Sequence, residues 1–387
     1  MMRTAIVLAM AGLLGACASA PAAPLSPMPT DASLDAEVAR AMADAGARGL
    51  ALAVIEDGQV RTVRAYGHRN AAGDPLTSRT VMYGASLTKA VFAWTVMQLA
   101  EEGRIDLDAP ITRYLDRPLT AYPVEDRYAD FTALDDRWRR LTPRILLSHG
   151  SGFANFGFLE PDGKLRFHFD PGARYGYSGD GLILLQFVLE RGLGLDIGAE
   201  MQRRVFDRFG MTRTSMQWRA DFAGDLADGW EADGSVEPHD ERSVPRAAGS
   251  MDTTIDDFAR FAAAYVRGEG LSAAGRAELV RPQQPITTAS QFPTLQPELP
   301  PAQRRPDLAA GLGVVVFEGP QGRGFFKGGH NDSTGNTWVC VERGRRCVVI
   351  LSNDVRAERA FPRLVRLVLG ETGVPWTWEY GPGFAGL

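Results

Sequence analysis

Ser86-Leu87-Thr88-Lys89 opens a run of apolar residues, and its residue types and spacing could do chemistry. Positions i and i+3 share a helix face, so the Ser86 hydroxyl and the Lys89 amine are expected side by side. A lysine at its ordinary pKa of about 10.4 is a poor base at neutral pH. Burial lowers that value, as does the positive end of a helix, and the segment from Ala90 to Leu99 is apolar almost all round. An amine so placed can activate the neighbouring hydroxyl as a nucleophile. Taken alone, Ser-x-x-Lys also describes an ordinary helix start with a solvated lysine. A count adds weight to the chemical reading. The 387 residues hold 42 Lys+Arg, of which only Lys89, Lys164 and Lys327 are lysine. Arginine stays charged and cannot serve as a base, so each lysine is worth a question. Lys164, in the turn Asp162-Gly163-Lys164, reads as a surface residue.

Two further stretches join the first. Pro171-Gly172-Ala173-Arg174-Tyr175-Gly176-Tyr177-Ser178-Gly179-Asp180-Gly181 leads into a helical run, and Phe325-Phe326-Lys327-Gly328-Gly329-His330 ends a strand-like run. In order and spacing the three resemble the motifs of the serine β-lactamase and penicillin-binding-protein superfamily, closest to its class C β-lactamase-related branch. The stretches Leu141 to Gly152 and Ala248 to Thr254 add to the likeness, which covers about Ala32 to Glu379. The resemblance implies that Ser86 forms an acyl-enzyme and that Lys89 helps deprotonate it. It implies Tyr177 as general base or proton shuttle, its phenol pulled down from about 10 by the Lys89 and Lys327 cations. Lys327 would offer charge to a substrate carboxylate or to the transition state. The oxyanion hole would be the backbone N–H groups of Ser86 and His330. Gly179, Gly328 and Gly329 would lie against the substrate.

Two departures bear on specificity. The second motif reads Tyr177-Ser178-Gly179 where the family has Tyr-x-Asn, and the third reads Lys-Gly-Gly where it has Lys-Thr-Gly. Both remove polar substrate anchors and leave the acylating groups in place. The expected activity is a serine hydrolase acting on an ester, an amide or a D-amino-acid peptide. The alternatives are a non-catalytic peptidoglycan- or penicillin-binding lipoprotein and a weak class C-like β-lactamase. The five histidines show no metal-ligand spacing, so neither a metal nor a cofactor is expected. His149 reads as structural.

The elements that must position these residues follow from periodicity. Helices are predicted over Asp31–Ala45, Ser86–Glu102, Gly181–Glu190, Ile197–Phe209, Thr254–Arg267 and Glu358–Leu369. A hairpin is predicted over Leu50–Tyr66, turning at Asp57-Gly58, with four more strands between Gly313 and Ser352. Strands at both chain ends with helices between them indicate an α+β fold. Its antiparallel sheet is built from both ends and flanked by helices (31–105 and 308–387). A mostly helical inserted domain (106–307) ends in the proline-rich loop 281–307.

Composition bounds the rest. Hydrophobic residues make up 45% and the net charge is -5, which fits a globular chain and gives no footprint for nucleic acid. The start, Met1-Met2-Arg3 followed by apolar residues from Ala5 to Leu14, reads as a signal peptide over 1–16. Leu14-Gly15-Ala16-Cys17 resembles the bacterial lipobox, which implies lipidation of Cys17, a tether over 17–30 and a periplasm-facing lipoprotein held to the membrane by its anchor. Ordinary cleavage near Ala18-Ser19-Ala20 would instead release a soluble periplasmic or secreted protein. Cys340 and Cys347 face each other if the segment folds as a hairpin around Arg343-Gly344. They form either a disulfide or two buried thiols.

Overall fold

The computed structural model of the protein describes residues 24–385, so the predicted leader and Cys17 lie outside the described residues. Helix α1 (Asp31–Ala45) is capped by the Thr30 side chain and ends at Gly46, whose φ of 68° suits a residue without a Cβ. Its Leu34, Val38, Ala41 and Met42 face inward. Strands β1 (Gly49–Glu56) and β2 (Gln59–Gly67) form the expected hairpin, with positive φ at both Asp57 and Gly58. Two such residues make the two-residue loop that matches strand twist.

After β3 (Met82–Tyr83), a 3-10 turn at Ala85–Leu87 enters α2 (Thr88–Glu101), which is buried continuously from Thr88 to Leu99. The middle of the chain holds α3 (Pro143–Leu147), α4 (Gly179–Phe187) and α5 (Ile197–Met201). Both α4 and α5 run on as π-turns, Val188–Gly192 and Gln202–Phe206, which extends their apolar pattern beyond the regular helix. Short strands β4 (Gly229–Trp230), β5 (Val236–Glu237) and β6 (Asp252–Thr253) precede α6 (Ile255–Arg267). At the start of α6, Thr254 Oγ1 accepts from Asp257 N at 3.1 Å. Asp257 does not reach back to the cap; its Oδ2 accepts from Arg213 N and Thr214 Oγ1 at 2.7 and 3.0 Å, tying α6 to the preceding segment.

Past α7 (Ala273–Leu279), strands β7 (Gln284–Pro285) and β8 (Ala309–Ala310) bracket the proline-rich loop. The chain closes with β9 (Val315–Gly319), β10 (Gly322–His330), β11 (Gly335–Val341), β12 (Arg346–Ser352), α8 (Phe361–Leu369) and α9 (Trp376–Tyr380). Eight strands form one antiparallel sheet in the order β2-β1-β12-β11-β10-β9-β8-β7. The sheet joins both parts of the chain, Ala51 of β1 pairing with Leu351 of β12. This is the α+β architecture expected from the sequence.

Alternation along the strands builds two cores. Leu50, Leu52, Val54, Val348 and Ile350 pack with α1 and α8 on one face. Ala51, Ala53, Val349, Leu351 and Trp338 pack with α2 and α6 on the other. Trp338 sits among Phe258, Phe261 and Tyr265 at centroid distances of 5.5, 5.8 and 4.9 Å. Cys340 and Cys347 are direct register partners on β11 and β12 and are joined by a disulfide. Among the described residues no helix is long and apolar enough to cross a membrane.

Candidate active site

Ser86 sits in the tight turn between β3 and α2. The preceding Ala85 has φ 46°, a left-handed conformation unfavourable to a residue with a Cβ, and the surrounding bonds hold it there. Gly84 N donates to Met251 O at 2.8 Å, Thr88 Oγ1 donates to Ala85 O at 2.6 Å, and Met251 N donates to Thr88 Oγ1 at 3.1 Å. The segment Ala248 to Met251 thus clamps the turn. It also accepts from Lys89, whose Nζ lies 2.5 Å from Ala248 O and 2.9 Å from Ser86 Oγ. The i,i+3 geometry read from the sequence is present.

Tyr177 approaches from the other side, immediately before α4. Ser178 caps that helix, its Oγ accepting from Gly181 N at 3.0 Å and donating to Ala154 O at 2.8 Å. Tyr177 Oη lies 2.8 Å from Ser86 Oγ, to which it donates. His149 explains the precision of this placement. Its ring lies 4.4 Å from that of Tyr177, and its Nδ1 accepts from Ser178 N at 3.2 Å. Burial, with the charges of Lys89 and Lys327, holds His149 well below the usual histidine pKa, so the ring supports Tyr177 as a neutral plate.

Strand β10 supplies the third side. Lys327 Nζ donates to Gly328 O at 2.8 Å and lies 5.2 Å from the centre of the Tyr177 ring, while Lys89 Nζ lies 5.0 Å from it. A Cβ on Gly329 would stand 3.0 Å from Ser86 N, so this glycine lets β10 run against the Ser86 turn. His330 follows one residue on, its Nδ1 at 2.9 Å from Glu358 Oε1. Burial works against its imidazolium, but the Glu358 bond and charge, with Glu379, outweigh burial and lift its pKa.

The electrostatics depart from expectation at Tyr177. Burial pushes its phenol up rather than down, opposed only by the Ser86 hydrogen bond. The negative charge of Glu379 and the Tyr83 phenol add to the rise. Burial and the Lys327 charge drive Lys89 far below its ordinary value, against Glu379 and Asp180. Burial lowers Lys327 too, against Glu379. The resting arrangement is therefore a protonated phenol beside an amine that readily loses its proton.

These groups line a cleft of about 520 Å³, with Gly328, Gly329 and His330 along its β10 wall. Gly179, expected at the substrate, does not line it; a Cβ there would overlap the Phe156 ring, which faces the cleft instead. Gly179 N donates to Asn155 Oδ1 at 2.9 Å. At Gly328 a Cβ would overlap Glu379 Oε1, from α9. Phe156 and Glu379 escaped sequence reasoning, since neither belongs to a motif. Phe292, from the proline-rich loop, enters between Tyr177 and His330 at 5.5 and 5.7 Å. Its loop is held by Trp378, whose Nε1 donates to Thr288 Oγ1 at 3.2 Å and whose carbonyl accepts from Gln291 N at 2.8 Å. Among the described residues no cluster has the makings of a metal site.

Known proteins are similar to this chain in sequence and in fold. A lovastatin esterase of Penicillium rubens is 30% identical over 155 residues, 34% of this chain and 38% of that enzyme. A D-aminopeptidase of Gluconobacter oxydans is 27% identical over 213 residues, 53% of this chain and 39% of that enzyme. The chain thus spans less than half the length of these relatives. In fold it is similar to the octameric penicillin-binding protein homologue of Pyrococcus abyssi, with a TM-score of 0.69 over 88% of this chain and 78% of that one, at 18% identity. The Beta-lactamase family model matches residues 34–370, nearly the whole described chain, and the protein belongs to that family.

Proposed function

We propose that the protein is a serine hydrolase that forms an acyl-enzyme on Ser86 and acts on esters or amides, D-amino-acid amides included, in preference to β-lactams. The observation that carries this reading is the placement of Ser86 Oγ between Lys89 Nζ at 2.9 Å and Tyr177 Oη at 2.8 Å. The proton steps follow from the two opposite pKa shifts. Lys89, as the neutral amine, takes the Ser86 proton while Oγ bonds to the substrate carbonyl carbon. The oxyanion that forms is met by the backbone N–H groups of Ser86 and His330. When the intermediate collapses, the bond to the leaving group breaks and that group takes the Tyr177 proton. The Lys89 ammonium then restores the phenol. In the second half water attacks the acyl carbon while Lys89 takes its proton; as the bond from that carbon to Oγ breaks, the proton passes to Oγ, releasing the acid and restoring Ser86.

The substrate preference rests on the two glycine departures. An amide anchor is replaced by the Phe156 ring, which suits an apolar acyl group better than the polar frame of an antibiotic, and the hydroxyl anchor is lost at Gly328. The esterase and D-aminopeptidase relatives point the same way. The Leu14–Cys17 pattern and the Cys340–Cys347 disulfide support an envelope location with a lipid anchor on Cys17. Purified protein should label with a fluorophosphonate probe and turn over p-nitrophenyl butyrate or D-alanine p-nitroanilide, with both activities absent from Ser86→Ala. No Ser86-dependent turnover would overturn the hydrolase reading, and persistent labelling by fluorescent penicillin without turnover would mark a binding protein instead.

A further inference from the structure

The third motif leaves a space at Gly328, and the structure shows what fills it. Glu379 is 4% exposed, yet it lines the same cleft as Ser86 and Lys327. Its carboxylate has no hydrogen-bond or ion-pair partner among the described residues. One oxygen occupies the volume that a side chain at position 328 would need. Its negative charge is felt by Lys89, Lys327 and His330. Helix α9 holds it there: the adjoining Trp378 is buried against the proline-rich loop, and Tyr380 Oη donates to Asn336 O at 3.2 Å. A carboxylate that faces the cleft without a protein partner is available to a donor group that arrives from outside.

We infer that Glu379 sets the charge preference of the site, so that the part of the substrate lying along β10 beside Gly328 is neutral or cationic, an ammonium being favoured and a carboxylate disfavoured. The Lys327 charge that would attract a carboxylate is offset by an anion standing where a hydroxyl side chain would have helped to bind it. A substrate ammonium would supply the partner that Glu379 lacks. This rests on the serine hydrolase reading above and adds the identity of the group bound beside the reacting bond.

The test uses three aryl esters of one acyl group, with leaving phenols bearing a meta carboxylate, hydrogen or a meta trimethylammonium. The wild-type protein should favour the cationic ester over the carboxylate by about tenfold or more in kcat/KM, given one charge at close range in a poorly solvated site. Glu379→Gln should reduce that ratio about tenfold, and Glu379→Asp should keep its direction. A wild type that prefers the carboxylate would overturn the inference. So would a Glu379→Gln ratio within twofold of wild type with all three rates lowered alike, which would make Glu379 only a counter-ion for Lys327. Ser86-dependent hydrolysis of the unsubstituted ester separates this failure from that of the hydrolase reading, which falls only if none of the three reacts.

Discussion

The acylating end of the cleft and its anchoring rim are built on different principles. At the acylating end the polar groups find partners close by: Lys89 and Tyr177 both donate to Ser86 Oγ, and Ala248 O takes a further lysine contact. At the rim the motif positions themselves are bare, and side chains from elsewhere stand in for them. Phe156 covers Gly179, and Glu379 covers Gly328. Chemistry common to a family needs fixed distances between its own residues, whereas recognition needs only that a surface be filled. The filler is free to come from any nearby element.

Substitutions at the two regions should separate cleanly. The largest loss is expected from Lys89→Met, which removes the base and leaves Ser86 Oγ unactivated. A fall in kcat of at least about a thousandfold is expected by ester hydrolysis, and Tyr177→Phe should cost about a hundredfold. If Tyr177→Phe cost as much as Lys89→Met, the phenol would be the base and the division of roles proposed for them would fail.

The pH profile sharpens the same point. Because Lys89 acts in its neutral form and its pKa is depressed, kcat/KM should rise with pH and level off well below the ordinary lysine value of about 10.4. A profile still climbing at that value would indicate an unperturbed lysine or an ionising tyrosine.

A smaller effect is expected at the rim. Phe156→Ala should lower kcat/KM for a long-chain p-nitrophenyl ester about tenfold relative to the acetate, as lost apolar contact would. Gly179→Asn, in contrast, should be tolerated only when Phe156 is also made small, because the ring occupies the space of the new side chain. Equal losses for short and long esters in Phe156→Ala would place the ring outside the substrate path.

The smallest effect concerns stability. Asp180, buried at the start of α4, accepts from Gly157 N at 2.5 Å, and burial raises its pKa from 3.8 to about 6. A carboxyl raised in the folded state stabilises most below its unfolded value, and that contribution is lost as pH rises from about 4 to about 6. Asp180→Asn should therefore raise the melting temperature at pH 7 by a few degrees and not at pH 4, the shift reflecting roughly 1–3 kcal/mol. A gain of the same size at both pH values would mean that the carboxyl is not ionising in the fold.

Much of the acylating end was legible in the sequence. The i,i+3 spacing of Ser86 and Lys89 is a local property of a helix, and the third motif, sharpened by the lysine scarcity, pointed to Lys327. The hairpin that pairs Cys340 with Cys347 was likewise local. The rim was not legible, because a glycine announces a vacancy without naming its occupant. Phe156 and Glu379 reach these vacancies only through tertiary packing. The direction of the Tyr177 shift was also out of reach, since it depends on how deeply the phenol is buried. A two-residue strand such as β7 carries no periodicity, so the loop from 281 to 307 concealed it.

The pairing of Ala51 with Leu351 has a consequence in time. Ser86 and its activating lysine belong to a helix that local contacts can form early. The strand that brings Lys327 and the His330 backbone to the nucleophile must wait for β11 and β12 to join β1, contacts of very long sequence separation and slow to form. In the proposed hydrolase, competence would therefore be one of the last properties the chain acquires. Until the sheet closes, the proposed nucleophile would lack the third wall of its site, and a half-made molecule would be silent toward the esters it meets.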